Sequence, residues 1–163
     1  MLRSILIGLV AGARSMTPLA VVANAARTGT LPADNGAPKF LANPLISLGT
    51  TALATYELVG DKQKSAPDRI IPAAVIIRSF NAAFAGMALS PRKERFAAAA
   101  VAGATAVLAS YATFAARMVA MRKGGQFATG LIEDAIVVST AVAAARAPLP
   151  ELPAPTRKLS EAR

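Results

Sequence analysis

Apolar positions fall into five blocks, separated by short stretches rich in polar residues, Gly and Pro. The first block follows Leu2-Arg3-Ser4 and carries no charge from Ile5 to Ala13. It predicts a helix over residues 4–26, bent at Pro18, where a backbone hydrogen bond is lost. A basic start and a short apolar run also imitate a secretory signal peptide. Arg14 and Thr17-Pro18 interrupt that run, so a retained helix is the reading. Residues 27–38 contain Gly29, Pro32, Asp34-Asn35-Gly36 and Pro38, which is turn chemistry. Asn43-Pro44 reads as a cap followed by a helix start, predicting a second helix over residues 44–60. A polar stretch, 61–68, precedes a third helix over 68–89. Ser90-Pro91 repeats the start signal for a fourth helix over 91–122. Residues 96–116 carry no charge, and crossing a bilayer core takes roughly 20 such residues. Lys123-Gly124-Gly125 ends this helix, and a fifth runs from about residue 129 to 145.

The expected fold is therefore all-α: a polytopic membrane helical bundle of four to five helices over residues 1–147. A Pro-rich, charged tail over 148–163 is expected to be disordered. The helix count is left as a range because the second helix is short and either spans or re-enters. A soluble bundle is the bland alternative, and the uncharged run at 96–116 weighs against it.

Composition agrees. Of 163 residues, 54% are hydrophobic and 17% charged, against about 25% charged in soluble domains. Mean hydropathy is +0.46. The chain has no Cys and no His. That removes disulfides, thiolate and imidazole metal sites, and every Ser/His or Cys/His nucleophile pair. No cofactor is expected. The formal net charge is +9, from 18 Lys and Arg against 9 Asp and Glu. These cations are spread over all the loops rather than gathered on one face, and aromatic residues are few. The expected partner is the lipid bilayer, with no nucleic acid. Basic residues divide almost evenly between the two ends of the predicted spans, so the positive-inside rule assigns no topology.

Ionisable residues within the apolar blocks are the most informative feature. A charge at mid-span costs about 2.5–3.5 kcal/mol on insertion scales, so such groups face a partner or water. Arg14 lies deep in the first predicted helix and Arg78 in the third. Arg14, Thr17 and Asn24 share one side of the first helix. Asn81 sits one turn beyond Arg78. On the second helix Ser47, Thr50, Ala54, Glu57 and Asp61 recur at steps of three and four. On the fifth, Glu133 and Thr140 share a face. The economical assembly brings these faces together, with Arg14 and Arg78 neutralised by Glu57, Asp61, Glu133 or Asp134. The candidate substrate- or ion-binding residues are Arg14, Thr17, Glu57, Asp61, Arg78, Asn81 and Glu133. The bland readings are headgroup-level placement for Asp61, dipole compensation for Glu133-Asp134, and structural ion pairing for the arginines.

Gly8 and Gly12 form a GxxxG pattern, and Ala99 and Gly103 repeat its spacing. Its first use is packing inside the bundle; a homo-oligomer through Gly8 and Gly12 is the second. There is also a faint repeat. Residues 11–17 (AGARSMT) align on 75–81 (VIIRSFN), each with Arg-Ser after an apolar run and a hydroxyl or amide three residues beyond the Arg. Duplicated segments of this kind flank the sites of many transporters.

GLVAGARSMTPLA at residues 8–20, ELVGDK at 57–62 and SAPDR at 65–69 resemble the bacterial membrane-protein family known as domain of unknown function 4126. The small-residue segment 78–89 is similar to that family's middle region. The resemblance extends over residues 5–145, and Glu57-x-x-x-Asp61-Lys62 is its most specific part. Lys62-Gln63-Lys64 departs from it, since relatives tend to place an apolar residue and Pro soon after the Lys. The resemblance implies an integral membrane protein, with the bacterial inner membrane as its expected location. It brings no activity and no catalytic residues.

Three functions are compatible with these residues. The first is a small transporter or channel for an ion or small polar solute, built on the buried Arg/Glu/Asp centre. The second is a non-catalytic packing or assembly subunit whose charge pairs are structural. The third, an intramembrane enzyme, has carboxylates for acid–base work but no recognisable motif, so catalysis is not the expected role.

Overall fold

A computed structural model describes residues 1–60 and 70–146. The predicted tail, Asp61 and the Lys62-Gln63-Lys64 departure lie outside the described residues. Within them the fold is all-helical. Six α-helices run in order: α1 (Leu2–Ala13), α2 (Thr17–Arg27), α3 (Pro44–Gly60), α4 (Pro72–Ala88), α5 (Arg95–Gly124) and α6 (Gln126–Arg146). A single 3-10 turn, Lys39–Ala42, precedes α3. An isolated bridge joins Asn35 to Pro91.

The count exceeds the predicted four to five because the first helix is not bent but divided. Arg14 is extended, with φ −139° and ψ 113°. The ring of a helical Pro clashes with the carbonyl four residues earlier, which for Pro18 is that of Arg14. The helix ends there and restarts at Thr17, with Pro18 in the first turn, where its missing N–H is harmless. Two other boundaries also move. Pro91 belongs to a turn rather than to α5: Gly36 N–H donates to the Ser90 carbonyl at 2.8 Å and Arg92 N–H to that of Asp34 at 3.1 Å. The 27–38 loop thus holds the α4–α5 connection. α6 begins at Gln126, ahead of the predicted start, because the positive φ of Gly125 (75°) turns the chain within one residue.

α1, α4 and α5 form the central layer, with α6 against α1 and α2, and α3 against α2 and the 3-10 turn. Small residues set the central contacts. A Cβ on Gly8 would lie 2.6 Å from the Ala102 carbonyl oxygen and from the Thr105 Cβ, and one on Gly12 would run into Ala109 and Ser110. Both positions advance together, so α1 and α5 run parallel. Gly86 of α4 meets Ala98 and Ala102, while Ser79 meets Gly103, so α4 runs antiparallel to α5. The GxxxG of α1 is therefore covered by α5 of the same chain, and an oligomer through Gly8 and Gly12 would have to open that contact.

Burial is inverted relative to a water-soluble protein. Alanine dominates the buried apolar residues, together with Ile7, Leu41, Leu89 and a few valines. Arg14, Ser4 and Ser110 are fully buried. Large apolar side chains point outward: Leu45, Leu48, Tyr56, Phe80, Phe96, Leu108 and Ile136 are all more than half exposed. α3 states the inversion most plainly, since its buried positions are Ser47, Thr50 and Ala54. Arg95–Arg122 and Phe127–Arg146 are long and apolar enough to cross a membrane, and only 33% and 28% of their apolar windows are buried within the chain.

Candidate functional site

The division between α1 and α2 leaves carbonyls open at one helix end and N–H groups at the other. Side chains from three other helices meet them. The Gly12 carbonyl accepts from Arg78 Nη1 of α4 and from Thr113 Oγ1 of α5, each at 3.2 Å. The Ala13 carbonyl accepts from Arg14 Nη1 at 3.2 Å. On the other side of the break, the N–H groups of Ser15 and Met16 donate to Glu57 Oε1 and Oε2 of α3 at 2.7 and 2.8 Å. Asn81 Nδ2 of α4 donates to the Ser15 carbonyl and Oγ, each at 3.2 Å. Cations thus stand at the carbonyl end of α1 and a carboxylate at the N–H end of α2, as the two helix dipoles favour.

The second half of the centre is an ion-pair chain. The Arg14 side chain is fully buried. Its Nε and Nη2 donate to Asp134 Oδ1 at 2.8 and 2.5 Å. Glu133 Oε2 lies 3.5 Å from Arg14 Nη2 and accepts from Arg117 Nη1 at 2.8 Å. Arg14, Asp134, Glu133 and Arg117 therefore tie α1, α5 and α6 together.

Of the predicted residues, Arg14, Glu57, Arg78, Asn81 and Glu133 converge on this centre. Thr17 is there as well, 4% exposed at the start of α2. The aligned segments 11–17 and 75–81 meet directly, since Arg78 and Asn81 bind the backbone of the first segment. Glu57, offered as a partner for the arginines, is bound to the backbone at the break. Asn24 is exposed and accepts from Arg27 Nη2 at 2.9 Å. The division at residues 14–16 rotates it away from the side it would share with Arg14 in a continuous helix. Glu133 and Asp134 are not first-turn residues, because α6 starts at Gln126 and its first turn holds no acid. Dipole compensation does not account for them.

Three participants were not legible as site residues. Asp134 was grouped with Glu133 only as a neutralising acid. Arg117 directly follows the uncharged run 96–116, a position that suits a residue at the end of a span, whereas it is 9% exposed inside α5. Thr113 is one hydroxyl in a uniform Ala-rich segment and carries no signal at all.

A groove of about 500 Å³ between α1, α5 and α6 reaches the outer side of this centre at Arg117 and Glu133, past Leu6, Leu9, Ile132 and Ile136. Among the described residues no cluster of three or more Asp or Glu is placed to hold a metal ion. Chemically, the site offers a broken helix, backbone donors and acceptors, and alternating charges that run from buried Arg14 to part-buried Glu57 and Glu133. One family model, described as Domain of unknown function (DUF4126), matches residues 1–152. No curated protein and no solved structure matches the chain.

Proposed function

The chain belongs to the DUF4126 family, and from that premise we propose that it is a polytopic membrane transporter or channel for an ion or small polar solute. The observation that carries this reading is the α1–α2 break. An interrupted helix is tolerated at membrane depth where its open backbone groups are buried in protein or line a cavity, and such breaks form the binding sites of many transporters. Here the chain enters α1 and leaves α2 at the same end of the bundle: Arg3 donates to the Leu89 carbonyl and Gly36 to that of Ser90, so the two helices form a re-entrant pair with the break at its tip. The membrane passages are then α3, α4, α5 and α6, four in number. The outward apolar side chains and the Ala-rich interior support the same placement. A bacterial inner membrane is the location proposed.

The test is solute flux. Purified protein in liposomes is assayed with potassium, chloride and glycerol against protein-free liposomes. Flux of at least one solute, changed by Arg78→Ala, supports transport. Flux indistinguishable from protein-free liposomes for all three removes it.

A second reading has its own support. The Arg14–Asp134–Glu133–Arg117 chain joins three helices with every partner supplied internally, as a purely structural lock does. Under that reading the protein is a packing or assembly subunit. It copurifies with one stoichiometric partner and passes no solute.

A further inference from the structure

We propose that the start of α2 is a binding site for a small inorganic anion, occupied in this structure by the carboxylate of Glu57. The inference rests on the transport reading and names the class of ion that the centre handles.

Glu57 does not act here as a counter-ion to a neighbouring side chain. Its two oxygens take the N–H groups of Ser15 and Met16 at 2.7 and 2.8 Å. Consecutive N–H groups at a helix start, with the partial positive charge of the dipole, form a ready anion site. The carboxylate is supplied from another helix and belongs to neither α1 nor α2.

Thr17 independently indicates an unfilled requirement at the same place. It is the first residue of α2 and is 4% exposed. Its hydroxyl is enclosed and has no hydrogen-bond partner. Side chains on a helix tilt toward its N-terminus, so this hydroxyl is aimed at the end that carries Glu57. A buried hydroxyl without a partner is uncommon and unfavourable. A small anion held beside the Ser15 and Met16 N–H groups would give it an acceptor.

The donors give the sign of the ligand. The Ser15 and Met16 N–H groups and the positive end of the α2 dipole favour a negative group, and the group they hold here is itself an anion.

α3, which carries Glu57, packs against α2 and the 3-10 turn, and its buried positions are the small residues Ser47, Thr50 and Ala54. Its large residues, Leu45, Leu48, Leu53 and Tyr56, face outward. The resident carboxylate and a mobile anion compete for the same two donors.

The full-length protein, reconstituted in liposomes, tests this with chloride as the probe. Chloride efflux is followed by electrode for wild type, Glu57→Gln and Glu57→Ala, with potassium and glycerol measured in parallel. Removal of the competing carboxylate is expected to raise chloride efflux roughly tenfold, the effect of losing one charge-assisted contact. Thr17→Val in the Glu57→Ala background is expected to lower it again. Chloride efflux at the protein-free level in all variants, while potassium or glycerol passes, overturns the anion inference and leaves transport standing. Failure of all three solutes removes both. Should the Glu57 variants not fold, chloride-35 NMR on the wild type decides: line broadening that Thr17→Val reduces supports the site, and no broadening overturns it.

Discussion

Arg14 and Asp134 are 120 positions apart in the chain, yet the guanidinium donates twice to one carboxylate oxygen, at 2.8 and 2.5 Å. Arg14 is the largest side chain among the fully buried ones. Its position follows from the helix division. An extended residue at the end of α1 directs its side chain across to α6 rather than out along the helix surface. The pair fixes the register of the last helix against the first, and Glu133 extends the tie to Arg117 on α5.

Removing one partner should be far more damaging than removing both. Asp134→Ala removes the carboxylate held most closely by a buried guanidinium, and breaking a buried pair by removing one partner costs about 3–5 kcal/mol. Asp134→Leu combined with Arg14→Met replaces both charges with apolar groups and should recover most of that loss. Denaturant unfolding of the purified protein measures the two values. A single variant as stable as wild type would show that the pair contributes nothing to the fold.

Gly8 and Gly12 should tolerate nothing larger. A Cβ at either position enters the backbone of α5, so Gly8→Val and Gly12→Val should lose the monodisperse folded species in detergent. Gly49 on α3 has nothing within 4 Å of its would-be Cβ. Gly49→Ala should therefore fold normally, and should gain a few tenths of a kcal/mol to about 1 kcal/mol from helix propensity. Size-exclusion profiles of the three variants make the comparison. Equal behaviour of all three would mean that α1 does not pack on α5 through its glycines.

Part of this architecture is legible in the chain. The all-helical class and the inward polar stripe of α3 were legible because spacing alone places Ser47, Thr50, Ala54 and Glu57 on one face. Convergence of Arg14, Arg78 and Asn81 was legible because a charge in an apolar run demands compensation. The helix division was only half legible. Pro18 announces a disturbance, but whether a helix bends or parts depends on whether other side chains meet the opened backbone. Here Glu57, Arg78, Asn81 and Thr113 do so from three separate helices, and such long-range satisfaction leaves no local trace. The true partner of Arg14 was obscured for a similar reason. Glu133 and Asp134 are neighbours on the chain, and the choice between them depends on the rotation of α6.

Glu57→Gln should loosen the break without unfolding the bundle. The carboxylate supplies two charge-assisted acceptors, and hydrogen bonds to charged groups contribute about 1.5–3 kcal/mol. An amide keeps one acceptor and presents a donor to the other N–H. Hydrogen exchange at Ser15 and Met16 should accelerate by about tenfold or more, while amides in the middle of α5 keep their protection. Unchanged exchange at Ser15 and Met16 would mean that Glu57 does not hold the start of α2.

The outward apolar faces give the membrane placement its sharpest test, because water and lipid predict opposite behaviour at the same residues. Leu48, Leu53 and Tyr56 on α3 and Leu108 on α5 are more than half exposed. In water, so many large apolar side chains without cover would drive association. In a bilayer they are surrounded by chains as apolar as themselves, and helix contacts rest on small residues and polar ties instead, which is how this interior is built. Spin labels at these four positions, in protein reconstituted into liposomes, should collide readily with oxygen and hardly at all with a water-soluble nickel chelate. A label at Arg27, which is exposed at the end of α2, should show the reverse. Accessibility to the nickel chelate at Leu53 and Leu108 equal to that at Arg27 would place these faces in water, and the membrane placement would have to be abandoned.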